Sequence, residues 1–348
     1  MKIAVCAVQV PFVRGGAESH CDNLCRELIN RGHVVEHVKL PFKWYPPQEI
    51  ISHALMWRLL DLSESNGYKI DGVIATKFPS YMVRHTNKVV WLLHQYRAAY
   101  DRAFTEFDDL LPYGKMGDII RKKIYYMDKK YLAESKKIFT NAQNTADRLL
   151  KYNKLHGEVL YHPPPLMGRY YCDDYRDYIF YPSRIDSMKR QELMIRSMKH
   201  ISSELRLKVA GTGPHLNDCM KLAKNIGVGD RVDFLGYVPD EQLLDLYANS
   251  SCVAYVPVDE DFGYVTLEGF LSKKPVVTCE DSGGPLEFVD DSVNGYVAKP
   301  DPKDIARKVN YLYDNQLCNR FGEKGYSKIK SMNLSWDRVI DRLVEAIE

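Results

Sequence analysis

Apolar runs of strand length alternate along this chain with stretches whose apolar positions recur every three or four residues. Lys2–Val10 predicts a strand, Ala17–Arg31 an amphipathic helix closed by Gly32, Val34–Leu40 a strand, Glu49–Glu64 a helix and Ile70–Ala75 a strand. Lys88–Leu93, Lys137–Thr140 and Glu158–Tyr161 predict further strands. Strands separated by helices imply a parallel sheet wound on both faces, because a crossover helix is the usual way to join parallel neighbours. At Pro163–Pro165 the rhythm stops, since consecutive prolines fix φ and donate no hydrogen bonds. It restarts with strands expected at Tyr178–Pro182, Leu207–Ala210, Val232–Gly236, Cys252–Val256 and Val276–Thr278, each followed by a helical pattern. Asp301–Glu348 reads as mostly helical with a break at Asn333–Ser335, where Ser335 is the expected cap of a helix over Trp336–Ile347. The expected organisation is an α/β domain over 1–165, a second over 166–332, and a terminal helix over 333–348 packing back on the first domain. In such sheets ligands bind beyond the carboxyl ends of the strands, so two domains facing across a cleft would place function in the strand-to-helix loops.

Composition narrows the class little. The chain has 348 residues, 45% hydrophobic and 27% charged, ordinary for a globular protein of roughly two domains. No apolar run approaches the ~20 residues of a membrane span. Met1–Val5 enters a strand pattern without a charged, apolar and cleavage-site series, which predicts a cytoplasmic location. The eight cysteines are scattered with no Cys-x-x-Cys pair, and Cys21 and Cys25, one helical turn apart, lack a second ligand pair, so no metal is expected. The net charge of +2 conceals +7 over residues 1–165 against −5 over the rest. No nucleic-acid-binding signature accompanies the basic half, and no nucleic-acid partner is expected.

Five loops carry candidate chemistry. Pro11–Glu18 places Gly15 and Gly16 where the first helix begins, either a phosphate cradle at free N–H groups or a ligand-free tight turn. Arg184 and Lys189 project from one connection, as a fork and a point charge able to neutralise a diphosphate or as a solvated basic loop. Gly211-Thr212-Gly213-Pro214 permits close approach of a ribose or base, or is a turn before a proline-started helix. In Glu260-Asp261-Phe262-Gly263-Tyr264-Val265-Thr266-Leu267-Glu268, one acid lies in a loop and the other in the next helix, so both can face one cleft as acceptors for sugar hydroxyls, or the run can cap a helix. Asp281-Ser282-Gly283-Gly284-Pro285-Leu286-Glu287 repeats the device one strand later, glycines at a helix start and then an acid.

The ordered set resembles the retaining nucleotide-sugar glycosyltransferases of the GT-B fold, the family numbered four, also called glycosyl transferases group 1. It matches the two glutamates with seven residues between them, spanning a Phe-Gly (Glu260, Glu268), the double glycine, the Arg-x-x-x-x-Lys, the Gly-x-Gly-Pro and the Gly-Gly-x-x-Glu. The resemblance implies two Rossmann-like domains, a nucleoside diphosphate sugar as donor and a glycan or lipid-linked glycan as acceptor, without metal or other cofactor. It implies that Arg184 and Lys189 hold the diphosphate, Glu268 the ribose and Glu260 the transferred sugar. Phe262 and Gly263, beside Tyr264, would offer backbone N–H groups, and Tyr237-Val238 would lie near the base. His94 would meet the donor sugar near its reacting face. Ser183, Arg190, Asp261 and Gln95 depart from the family's usual residues and leave the sugar open. A nucleotide-sugar epimerase of the same fold, a dinucleotide-dependent oxidoreductase and a non-catalytic sugar-binding protein are the alternatives.

Gly114–Lys137 supplies +5 of the first half's +7, interleaved with Ile119, Ile120, Ile124, Tyr125, Tyr126 and Met127. As a basic amphipathic helix it would set Arg121, Lys122, Lys123, Lys129 and Lys130 on the inner face of an anionic membrane, attaching the protein peripherally. The other reading packs its apolar side on the sheet.

Overall fold

The computed structural model describes residues 1–12 and 15–348, so Val13 and Arg14 of the double-glycine loop lie outside the described residues. The chain forms two compact units, one of Met1–Pro165 with Ser335–Glu348 and one of Leu166–Leu334, against an expected second boundary at 332/333.

Unit 1 runs β1 (Lys2–Gln9), α1 (Gly16–Asn30), β2 (Val34–Pro41), α2 (Gln48–Leu59), a hairpin of β3 (Glu64–Ser65) and β4 (Tyr68–Lys69), β5 (Gly72–Lys77), β6 (Lys88–His94), α3 (Gly114–Leu132), β7 (Lys137–Thr140), α4 (Gln143–Arg148) and β8 (Glu158–Val159). Six strands form a parallel sheet in the order β2-β1-β5-β6-β7-β8. Period-two alternation sends Ala4, Cys6 and Val8 to one face, under α2 and α3, and Ile3 and Val5 to the other, under α1. The second face is closed by α11 (Trp336–Ile347), which inserts Val339, Ile340, Leu343 and Ile347 and is capped by Ser335 Oγ accepting the Arg338 N–H at 3.2 Å. The helix expected over Glu49–Glu64 stops at Leu59, where Leu60 turns extended, and Glu64–Lys69 instead form the hairpin around Asn66-Gly67, both at positive φ.

Beneath α11, His20 Nδ1 and His162 Nε2 lie 3.2 Å apart, fully buried, with Trp91 against His20 and Trp336 stacked on His162. Burial pushes both imidazoles down, His162 to about 4. The unfolded chain takes up this proton near pH 6.5, so the stabilisation is complete above that pH and is lost as pH falls towards 4. For His162 the loss amounts to about 3 kcal/mol. The Asp128 carboxyl, buried and pushed up to about 7, titrates in the opposite sense. A comparison with His162→Gln isolates the histidine: thermal midpoints measured from pH 7 to 4.5 are expected to fall more steeply for the unaltered chain than for the variant.

Unit 2 contains β9 (Arg176–Pro182), α5 (Gln191–Ser197), β10 (Arg206–Ala210), α6 (Leu216–Asn225), β11 (Val232–Gly236), α7 (Asp240–Ala248), β12 (Ser250–Ala254), α8 (Tyr264–Leu271), β13 (Val276–Cys279), β14 (Gly295–Ala298), α9 (Pro302–Asp314) and α10 (Cys318–Ser331). Its parallel sheet has the order β11-β10-β9-β12-β13-β14. The reversal of direction between β9 and β12 is a topological switch point, where loops diverge and leave a crevice.

Candidate functional site

The site in unit 2 is built where the loops after β9, β10, β12 and β13 meet. After Pro182, the chain follows the next loop edge to edge: Ser183 N–H bonds the Ala210 carbonyl at 2.9 Å and Ile185 N–H the Thr212 carbonyl at 2.9 Å. A Cβ on Gly211 would stand 2.0 Å from the Ser183 carbonyl oxygen, and one on Gly213 2.1 Å from that of Ile185. These two glycines therefore admit the Ser183–Ile185 backbone. Arg184 projects from this segment with its guanidinium 55% exposed and bonded to Asp186 at 2.7 Å, while the other Asp186 oxygen accepts the Lys189 N–H at 3.1 Å.

Lys189 is held at both ends. Its carbonyl accepts the Tyr181 hydroxyl, and its ammonium meets the Glu260 carboxylate in direct contact and lies 3.2 Å from the Tyr255 hydroxyl. Tyr255 donates to the same Glu260 oxygen at 3.1 Å. Burial and then the Glu260 charge raise the Tyr255 phenol far above its ordinary range, so it stays a donor. Glu260 is fixed through its backbone as well: its N–H bonds the Ser282 carbonyl at 2.9 Å and its carbonyl accepts the Gly284 N–H at 2.8 Å. Gly284 is confined here, for a Cβ would lie 2.7 Å from the carbonyl oxygens of Asp261 and Phe262. Phe262 is buried edge-on to Phe288 and Tyr264, and Gly263, at φ +85°, caps α8.

Glu268, on α8, accepts the Tyr247 hydroxyl at 2.6 Å. Burial raises its carboxyl, and the hydroxyls of Tyr247 and Tyr170 draw it back. The two acids thus stand with different tyrosines, Glu260 beside the cation and Glu268 among phenols. Tyr237 follows β11 with its ring 79% exposed, and Val238 is half-buried.

Sequence reasoning missed Tyr255, Tyr247 and the pairing of Arg190 with Asp281. Arg190 sits at φ +51°, a left-handed backbone that glycine adopts more readily. Its guanidinium bonds the carbonyls of Val256 and Pro257, each at 2.7 Å, and both oxygens of Asp281, tying the loops after β9, β12 and β13 together. Arginine thus adds a cross-link at a position where the resembled family often has glycine. The tyrosines gave no signal because they sit inside ordinary apolar runs.

In unit 1, His94 ends β6, half-buried, with Nδ1 2.7 Å from the Gln95 carbonyl. Gly15 N–H is accepted by Glu18 Oε2 at 2.9 Å, and Gly16 opens α1. On α3, Lys122, Lys123, Lys129 and Lys130 are exposed. Arg121 is not a surface cation: it is 5% exposed and bonded to the buried Asp108 at 2.6 Å, because its position falls on the helix's inward face. The helix ends at Leu132, leaving Lys137 to begin β7.

Two parallel-sheet units of this kind constitute the GT-B fold. Over 100% of this chain and 99% of the other, the structure superposes on Anabaena Alr3699/HepE, solved in complex with UDP and glucose, with a TM-score of 0.72 at 16% identity. Residues 172–328 match the family model described as glycosyl transferases group 1, so the second unit of this GT-B chain is a group 1 glycosyl transferase domain. The human alpha-1,3/1,6-mannosyltransferase ALG2 is 32% identical over 117 residues, 33% of this chain and 28% of that protein. The uncharacterized glycosyltransferase MJ1607 of Methanocaldococcus jannaschii is 30% identical over 169 residues, 48% of this chain and 43% of that protein. The matches thus span less than half the length of either relative.

Proposed function

We propose that the chain is a retaining glycosyltransferase that moves a sugar from a nucleoside diphosphate sugar to a hydroxyl of a glycan or lipid-linked glycan. One observation carries the reading: at the switch point of a group 1 domain, Lys189 is fixed by Tyr181 and Tyr255 against Glu260, beside the exposed fork of Arg184. A diphosphate arriving here competes with Glu260 for Lys189 and offers Arg184 a bidentate partner. Lys189, Arg184 and the N-terminus of α8 then oppose the charge that grows on the leaving diphosphate, so the proposal invokes no metal. Released from Lys189, Glu260 accepts hydroxyls of the transferred sugar and keeps the bond from Tyr255. Glu268 takes the ribose hydroxyls. His94 and the Gly15–Gly16 loop are assigned to the donor sugar and phosphate.

With no second nucleophile assigned, the bond from the anomeric carbon to the diphosphate oxygen breaks and the acceptor oxygen bonds the same face of that carbon. The acceptor's proton passes to the leaving diphosphate. A glycosyl adduct trapped on Glu260 would replace this step by double displacement.

The ligands in the Anabaena structure support UDP as the donor base; the mannosyltransferase name of the human relative supports GDP-mannose as the second candidate. A thermal-shift screen with UDP, UDP-glucose, GDP, GDP-mannose and NAD tests the reading. A nucleoside diphosphate at about 100 times its Kd is expected to stabilise the protein by about 2.7 kcal/mol, with the response lost in Lys189→Ala. A response to NAD alone, or an epimerised donor recovered without transfer, would overturn it.

A further inference from the structure

We infer that the outward faces of α2 and α3 seat unit 1 on an anionic lipid bilayer. The inference stands apart from the transfer chemistry and rests on the surface of this unit. Both helices cover the same face of the sheet: Ile50, Ala54 and Trp57 of α2 and Ile120, Ile124 and Met127 of α3 enter one core. Arg58 of α2 lies 4.4 Å over the Tyr131 ring and bonds Glu134, just past α3, at 2.6 and 3.0 Å. Their solvent sides therefore form one continuous surface.

The side of α3 away from the core repeats lysine and large apolar residues at helical spacing, Lys115, Ile119, Lys122, Tyr126 and Lys129, over about 21 Å. Ile119 is 48% and Tyr126 66% exposed. None of Lys115, Lys122, Lys123, Lys129 and Lys130 has a carboxylate within 4 Å among the described residues, while Asp118 is paired with Arg121 and Glu134 with Arg58 and Lys88. Next to this row, α2 is apolar on its outer side too. Leu55, Met56 and Leu59 face solvent, Leu59 at 83%, although a helix serving only the core would carry polar residues there. The segment entering α3 adds exposed Leu111 and Tyr113, and the first turn of α3 adds Met116.

Charge complementarity selects the occupant. Unpaired lysines flanking aliphatic and tyrosine side chains match a headgroup layer over acyl chains, with each cation adding about 1 kcal/mol near an anionic surface. A second copy of the chain would bring the same lysines face to face. Among the described residues no helix is long and apolar enough to cross a membrane, so this contact would be interfacial.

Co-sedimentation of the full chain with phosphatidylcholine vesicles, with or without phosphatidylglycerol, tests the inference in the absence of donor. Binding is expected only with phosphatidylglycerol and is expected to weaken with salt. Lys122→Glu with Lys123→Glu should lower the partition coefficient roughly tenfold or more. Leu59→Ser with Ile119→Ser should lower it several-fold and keep the salt dependence. Lys221→Glu with Lys224→Glu, exposed on α6 of unit 2, carries the same change in net charge and should bind like the unaltered chain. Equal binding by all variants, no binding to anionic vesicles, or a dimer dissolved by Leu59→Ser would overturn the inference. The nucleotide response of the Lys122→Glu/Lys123→Glu variant should be unchanged, so failure here leaves the glycosyl-transfer reading to its own test.

Discussion

Lys189→Ala should lower turnover of the responding donor by roughly two to three orders of magnitude, the scale of losing one preorganised charge that acts on the transition state. The free protein keeps this ammonium in place, 3.2 Å from the Tyr255 hydroxyl and in contact with Glu260. Its conversion from carboxylate partner to diphosphate partner exchanges one anion for another at a cation already in place. Removing it leaves a Glu260 that is about one-fifth exposed and still bonded to Tyr255, so thermal stability should change by no more than about 1 kcal/mol. Lys189→Arg retains the charge but not a compact ammonium that fits between Tyr255 and Glu260, and it should recover only part of the rate. Glu260→Ala should also cost orders of magnitude, and the double variant less than the combined single losses, since the two groups share one network. Steady-state kinetics with the donor chosen by the thermal-shift screen decide the matter. Wild-type turnover in either single variant would remove the substituted residue from the chemistry.

What the sequence disclosed and withheld follows from the range of the interactions involved. Hydrophobic alternation is local, and it located β1, β2, β6, β7, β9, β10 and β11 within a few residues; Ser335 capping α11 is local as well. β14 was missed because Gly295–Ala298 is short and lies between polar turns, and it is defined only by pairing with β13. The motif residues likewise appear where loops meet, but their spacing could not say which partners they take. Arg121 shows the limit most directly: its charge marked a surface, whereas the helical phase turns it inward onto the buried Asp108, thirteen residues away, with Asp118 one turn back as its second partner. Gly211 and Gly213 pose the same problem, since a glycine required by a ligand and one required by a neighbouring backbone look alike in a sequence.

Gly213 allows those two demands to be separated. Its backbone does not occupy the positive-φ region, so an alanine there meets no intrinsic strain, only the Ile185 main chain at 2.1 to 2.8 Å from the new Cβ. No flexible side-chain end is available to yield. The Ser183–Asp186 segment must move away, loosening the Ile185-to-Thr212 and His215-to-Ile185 hydrogen bonds of 2.9 and 3.3 Å. Overpacking together with weakened buried bonds predicts a loss of about 2–4 kcal/mol, a drop of roughly 10 °C in the midpoint of a domain this size. Gly227→Ala supplies the contrast: at φ +76° with nothing within 4 Å of the new Cβ, it bears only the backbone cost of about 1 kcal/mol. Because Arg184 rides on the displaced segment, Gly213→Ala should also blunt the nucleotide response in protein that is still folded, whereas Gly227→Ala should leave it intact. A Gly213→Ala protein with an unchanged midpoint would show that the loops after β9 and β10 are not packed as described. A lowered midpoint with a full nucleotide response would show that the packing is right but that the placement of Arg184 does not matter to the diphosphate.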